Sequence, residues 1–284
     1  MARQSKTSQH RTLPGATPRR RTTSTPAIPP AGTERTLLHS GTSGYAYKEW
    51  LGTFYPEDLS SDSWLSYYAS QLSSVEINNT FYRMPRTHVV EQWCAQVPED
   101  FKFVFKASRR ISHQKRLKDV EEATEYLGKR ALTFGSRLGC VLLQLPPNMR
   151  IHTDRLQRFI ELLPHNVPCA FEFRHPSWAV EEVDTILRQG GHTRVTTDDD
   201  EQAKVTELEH FDWHYLRLRR SRYTKPALVR WGKLIQQSAA KQAYVYFKHE
   251  DAGAGPKLAA RFAALYGEAE LTRKPAPRRA SRST

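Results

Sequence analysis

The stretch C-A-F-E-F-R-H-P-S-W at 169–178 carries the first chemistry in the chain. Phe171 and Phe173 alternate with Glu172 and Arg174, and His175-Pro176 closes the run. In a strand this alternation gives one aromatic face and one face bearing a carboxylate and a guanidinium. Charges so placed need partners. Similar groups end other short apolar runs: Glu76 and Asn78, Lys106, Gln144, Asp198, Arg217 and Arg219, and Lys248. Three acids against five bases make a site with cationic excess, suited to a phosphate or carboxylate group. Arg174, Arg217 and Lys248 are the expected anion contacts. Glu172 or Glu76 is the expected general acid or base.

Other chemistries fit less well. A glycosidase would need two mouth carboxylates; Glu76 and Glu172 could serve, but strands four and seven offer Gln144 and Arg217 instead. Lys106 or Lys248 as a Schiff-base amine needs a depressed pKa, which neighbouring cations can supply. His113, His175 and His249 could join Glu76, Glu172 or Asp198 around a metal, but the surrounding Arg and Lys would repel a divalent ion, so no metal is expected. Asp198-Asp199-Asp200-Glu201 reads as a solvated loop. No G-x-G-x-x-G, P-loop, G-x-S-x-G or H-E-x-x-H occurs, and no cofactor is expected. The first loop, G-T-S-G-Y-A-Y-K-E-W-L-G-T-F-Y-P at 41–56, adds Thr42 and Tyr45 as ligand contacts. Its aromatics either floor a pocket and stack on a planar ring or fold over as a plug.

Eight strands are needed to hold these groups: 37–42, 74–78, 101–106, 140–145, 169–174, 193–198, 213–219 and 243–248. Helical periodicity fills 62–72, with Asp62 as N-cap, then 86–96, 119–136, 153–163, 177–189, 226–239 and 256–266. Strands alternating with helices predict a parallel sheet. Units of about 29 residues predict a (β/α)₈ TIM-type barrel in a single domain, whose active sites lie at the C-terminal mouth. Within each run the apolar parity should face the helices and the polar parity the lumen. The same groups can also be read as a salt-bridge network closing the barrel.

The chain has 284 residues and a formal net charge of +13. Eleven of those charges lie in two acid-free segments, 1–33 and 272–284, rich in Pro, Ser, Thr and Arg. Residues 1–35 and 268–284 are therefore expected to be disordered basic tails flanking a barrel over 36–267. The tails suit solubility or salt-sensitive attraction to nucleic acid. Cys94, Cys140 and Cys169 show no ligand spacing and read as free thiols in a reducing cytoplasm. No signal-peptide core and no run of about 20 apolar residues is present, so no membrane association is expected.

Seven motifs carry a family resemblance: G-T-S-G-Y (41–45), F-Y-P (54–56), V-E-I-N-N-T-F-Y-R (75–83), F-K-F-V-F-K (101–106), L-L-Q-L-P-P (142–147), F-E-F-R-H-P-S-W (171–178) and F-K-H-E-D-A-G (247–253). In this order they resemble the YecE-like family, the domain of unknown function numbered seventy-two. The resemblance spans about residues 36–267. It implies a (β/α)₈ barrel but no reaction, because the family has no settled activity. A suggested kinship with barrel endonucleases acting on damaged DNA is analogy of fold. Many members read R-L-H-G where this chain has Arg217-Leu218-Arg219-Arg220, which strengthens an anion-binding reading. Many also carry Asn near 248–250, where Lys248-His249-Glu250 stands here. The histidine cluster of metal-dependent nucleases is not evident.

Two functions follow. The first is a pocket for a phosphate-bearing or other anionic ligand, with metal-independent hydrolysis or elimination on a phosphate ester or nucleic acid as the chemistry. The alternative is a non-catalytic nucleic-acid-binding module, with the tails giving affinity and the first loop stacking on bases.

Overall fold

The computed structural model describes residues 35–201, 204–238, 240–248 and 253–268. The sequence expectations for the tails and for His249 fall outside the described residues, apart from Arg35 and Glu268 at the tail boundaries. Eight parallel strands close a barrel in chain order. They are β1 (Leu37–Thr42), β2 (Ser74–Ile77), β3 (Lys102–Lys106), β4 (Leu138–Gln144), β5 (Cys169–Glu172), β6 (Thr193–Asp198), β7 (Trp213–Leu218) and β8 (Gln242–Phe247). Around them run α1 (Trp64–Gln71), α2 (Thr87–Ala95), α3 (Glu121–Leu132), α4 (Thr153–Glu161), α5 (Glu181–Gln189), α6 (Lys225–Gln237) and α7 (Ala254–Glu268). Each expected strand and helix is present with its ends moved by a few residues. Asp62 does not cap α1: it lies in a short 3₁₀ turn, Ser61–Ser63, and Ser63 precedes the helix.

Strand alternation divides the core in two. Val75, Phe103, Phe105, Val141, Leu143, Phe171, Leu216, Leu218, Val245 and Phe247 join the apolar layer beneath the helices. Val104, Cys140, Leu142, Ala170, Val195, Trp213, Tyr215, Tyr244 and Tyr246 form a separate cluster that fills the lumen. The barrel is thus a packed core closed below its mouth. Both Cys140 and Cys169 are buried free thiols, and Cys94 is free and half-buried.

β1 and β2 approach through Gly41. A Cβ there would lie 1.8 Å from the Ser74 carbonyl oxygen, and Tyr68 of α1 stands just behind it. The Tyr68 hydroxyl donates to Ser74 O at 3.0 Å and accepts from Thr42 N at 2.8 Å. Gly44, at φ 108°, then turns the chain into the first loop. We expect Gly41→Ala to destabilise the protein by at least about 3 kcal/mol in urea denaturation, since the strand pair must part to admit a methyl group. A neutral result would show that the pair can open freely.

Three buried histidines set the acid limb of stability. Burial pushes His39, His192 and His214 down to about 4; Lys102 adds to the effect at His39, and His210 at His214. His192 is held neutral by function as an acceptor: its Nδ1 receives the Cys169 backbone N–H at 3.3 Å. The unfolded chain binds protons at these sites from about pH 6.5 downward, the folded chain only near 4. Stability should therefore fall as pH drops from 6.5 to 4, by several kcal/mol in sum. Thermal melts across that window check the expectation. Replacing His192 by Asn should flatten part of the slope.

Candidate active site at the barrel mouth

Above the lumen cluster three strands converge on one guanidinium. Arg217 of β7 donates from Nη2 to Glu76 Oε1 of β2 at 2.6 Å and from Nη1 to Glu172 Oε2 of β5 at 2.6 Å. All three are buried, Glu76 completely. The remaining carboxylate positions are filled by neighbours. Asn78 Nδ2 donates to Glu76 Oε1 at 2.9 Å, and the Tyr215 hydroxyl donates to Glu76 Oε2 at 2.5 Å. Gln144 Nε2 of β4 donates to Glu172 Oε1 at 2.9 Å. The network continues outward, because Gln144 Oε1 accepts from Lys106 Nζ at 2.8 Å.

Electrostatics follow from this order. Burial alone would raise the Glu76 pKa, but the charge of Arg217 and the hydrogen bonds from Tyr215 and Asn78, with Ser43 adjacent, bring it down to about 2. Glu172 is likewise shifted up by burial and pulled below the usual carboxylate range by Arg217, Arg219 and Gln144. Both are ionised at neutral pH. Neither can act as a general acid there, and Glu76 has no face open to a ligand. Lys106 behaves differently. Burial, then the charge of Arg217, lowers it to about 8 against the opposing pull of Glu172 and Glu76. It is the group at this mouth whose proton is most readily given up near neutrality.

Most of the expected contacts meet here: Glu76, Asn78, Lys106, Gln144, Glu172, Arg217 and Arg219. Arg219 is half-buried, and burial followed by Arg217 lowers its pKa while the two carboxylates oppose the shift. Among the described residues it forms no ion pair, and its buried Nε has no hydrogen-bond partner. Arg174 lies two residues past the end of β5 and is exposed, so it borders the site without joining the network. Lys248 continues the lumen parity of Tyr244 and Tyr246 one residue beyond β8 and is exposed.

Asp198 is a correction. It points to the helices, accepting from Arg220 Nε at 2.6 Å, the Tyr223 hydroxyl at 2.9 Å and Trp231 Nε1 of α6 at 3.1 Å. In β6 the lone apolar residue, Val195, faces the lumen, which turns Asp198 outward. Thr42 is also withdrawn: its hydroxyl contacts Gly44 O at 2.6 Å and Tyr68 at 2.9 Å. Tyr45 is half-buried against Tyr68, with ring centres 6.2 Å apart. The first loop is a packed plug, with Trp50 and Tyr55 buried and Tyr55 stacked on Trp64 at 5.4 Å. This leaves its largest rings unable to stack on bases.

Sequence reasoning missed Tyr215 and left the role of Thr80 and Phe81, in the segment after β2, open between pocket and plug. Tyr215 shares the parity of Arg217, which would have placed it below the guanidinium. Thr80 fixes the end of β3: its hydroxyl donates to Lys106 O at 2.8 Å and accepts from Lys106 N at 3.1 Å. Phe81 lies under the ammonium, 4.4 Å from ring centre to Nζ. Beyond β3 the rim is basic. Arg109 and Arg110 are exposed, and a single π-helical turn, Arg110–Gln114, leads into Arg116 and Leu117, both at positive φ. His113 in that turn is lowered by burial and then by Lys106, Arg174 and Arg116. Among the described residues no three His, Cys, Asp or Glu gather in a metal-holding group. No helix among them is long and apolar enough to cross a membrane.

Arg217→Met keeps the bulk but leaves two carboxylates buried and unpaired. Urea denaturation at pH 7 should show a loss of about 3–5 kcal/mol. Wild type loses the Glu76 contribution as pH falls from 4.5 towards 2; relative to wild type, the variant should instead regain stability as pH falls towards 5, because its carboxylates then bind protons more readily folded than unfolded. The same slope in both proteins would argue against this pairing.

Comparison with known proteins places this arrangement. The family model described as "Protein of unknown function DUF72" matches residues 39–281. The UPF0759 protein YecE of Escherichia coli K12 is 35% identical over 133 residues, 46% of this chain and 48% of YecE. The UPF0759 protein YunF of Bacillus subtilis is 27% identical over 150 residues, 50% of this chain and 52% of YunF. The matches thus span about half the length of these curated relatives. The crystal structure of a DUF72 family protein from Thermotoga maritima superposes with a TM-score of 0.67 at 26% identity, covering 83% of this chain and 99% of that one.

Proposed function

The chain belongs to the DUF72 family, and from that premise we propose that its barrel mouth binds a phosphate-bearing or carboxylate-bearing ligand. The observation that carries the reading is Arg219. A guanidinium stays charged at any physiological pH, and this one is half-buried with an unsatisfied Nε. Glu76 and Glu172 are already committed to Arg217. With Lys106 protonated, three cations stand over two carboxylates, and an anion completes the balance. Arg219 and Lys106 are the inner contacts; Arg174, Arg116 and Lys248 form the outer rim that draws the ligand in.

The same reading covers metal-independent hydrolysis or elimination on such a ligand, with ionised Glu172 as the base. It also places the protein in a reducing cytoplasm, in keeping with the three free thiols. The alternative of a nucleic-acid module rests on the basic loop after β3, where Arg109 and Arg110 are exposed. A single-stranded oligonucleotide should then compete with phosphate, with a steep salt dependence.

Isothermal titration with inorganic phosphate tests the pocket. Arg219→Gln should weaken phosphate binding at least tenfold, about 1.4 kcal/mol. Its melting temperature should not drop, because the substitution removes an uncompensated buried charge. Equal phosphate binding by the two proteins would refute the assignment.

A further inference from the structure

The amine of Lys106 is fixed by its backbone, by an aromatic ring and by an amide oxygen. Its backbone is clamped on both sides by the Thr80 hydroxyl. Its Nζ sits over the Phe81 ring at 4.4 Å and donates to a neutral amide oxygen, Gln144 Oε1, at 2.8 Å. That amide cannot turn over, because its Nε2 is engaged by Glu172 Oε1. Lys106 therefore faces a carbonyl oxygen where a surface lysine would face water or a carboxylate. Among the described residues no carboxylate lies within ion-pair distance of it.

We propose that Lys106 is a covalent nucleophile that forms a Schiff base with an aldehyde or ketone bearing a phosphate or carboxylate group. The anion in that description rests on the reading of Arg219 above; the amine does not. In the step, the Nζ lone pair attacks the carbonyl carbon, the C=O π pair moves onto oxygen, and one Nζ proton passes to that oxygen through solvent, giving a neutral carbinolamine. Loss of that oxygen as water, with departure of an Nζ proton, leaves the C=N bond. Solvent carries the protons between these steps; Glu172, ionised and engaged by Arg217 and Gln144, donates none. No oxidant or reductant enters.

Several groups face this amine: Glu76 from β2, Glu172 from β5, Arg217 and Arg219 from β7, and His113 in the loop after β3. The cations disfavour the ammonium and the carboxylates favour it, while partial burial tips the balance towards the free amine. A lysine titrating near pH 8 is about half neutral there, whereas an ordinary one is well under one per cent neutral. Desolvation beside other cations is a recognised way of activating a lysine.

Reductive trapping on the full-length protein tests this. Glyceraldehyde 3-phosphate and glyceraldehyde, each with cyanoborohydride, present the same carbonyl with and without an anion. Peptide mapping compares Lys106 with exposed Lys118 and Lys257 as internal references. We expect Lys106 to be labelled at least tenfold faster than the references, with half-maximal rate near pH 8, and faster by the phosphorylated probe. Gln144→Glu gives the ammonium a charged partner and should move that midpoint up by at least one pH unit. If Lys106 reacts equally with both probes, the amine stands and the anion reading of Arg219 fails. Labelling no faster than the references with either probe overturns the Schiff-base proposal, and phosphate titration of Arg219→Gln then still decides the anion reading separately.

Discussion

A guanidinium buried inside a closed barrel is the constraint that orders this mouth. Arg217 cannot lose its charge, and removing such a group from water costs several kcal/mol unless anions meet it. Glu76 and Glu172 meet it from strands on opposite sides of β7's neighbours in the barrel, so the pairing ties β2, β5 and β7 to one point. The carboxylates then need their other lone pairs satisfied, which fixes Tyr215, Asn78 and Gln144. Each requirement leads to the next. The chain of requirements ends at Lys106 and Arg219, where the supply of fixed partners runs out.

That pattern separates scaffold from reactive surface without appeal to any relative. Glu76, the most buried carboxylate, has both oxygens saturated and keeps its charge down to about pH 2. Such a group positions others. Lys106 is half-exposed, weakly partnered and displaced towards neutrality. Both groups are displaced downward, which holds the carboxylate charged and brings the amine towards its neutral form. The amine is joined to the second carboxylate, Glu172, through the Gln144 amide, so a change at either is felt by the other.

Much of this was legible because most strands mark their faces clearly. Phe103 and Phe105 flank the parity of Lys106; Leu216 and Leu218 flank that of Arg217; Phe171 flanks Glu172. The pleat does the rest. β6 defeated the rule, since T-R-V-T-T-D has one apolar residue and it fills the lumen. Its outward charges are instead met by helices: Arg194 by Asp184 of α5 at 2.6 Å, and Asp198 by Trp231 of α6. Nothing local in the sequence announces partners that arrive from another layer. The first loop was ambiguous for a similar reason. Whether Tyr55 stacks on a ligand or on Trp64 depends on where α1 docks, and that is a tertiary fact.

The cationic excess at this mouth falls on Lys106. Arg217 lowers the proton affinity of Arg219 and Lys106, and Arg219 lowers that of Lys106. Arg219 cannot respond by deprotonating, so Lys106 is the member of the set that does. An anion seated on Arg219 would reverse this, screening the guanidinium and returning part of the proton affinity to the amine. In the proposed reaction, binding and reactivity would be coupled in a definite order. The free amine is most available before the anion neutralises the rim, and once a C=N bond forms the nitrogen is favoured in its protonated, electron-withdrawing form by that same anion. On the proposed reading the cationic excess favours the free amine, and a bound anion would offset that excess and favour a protonated C=N nitrogen.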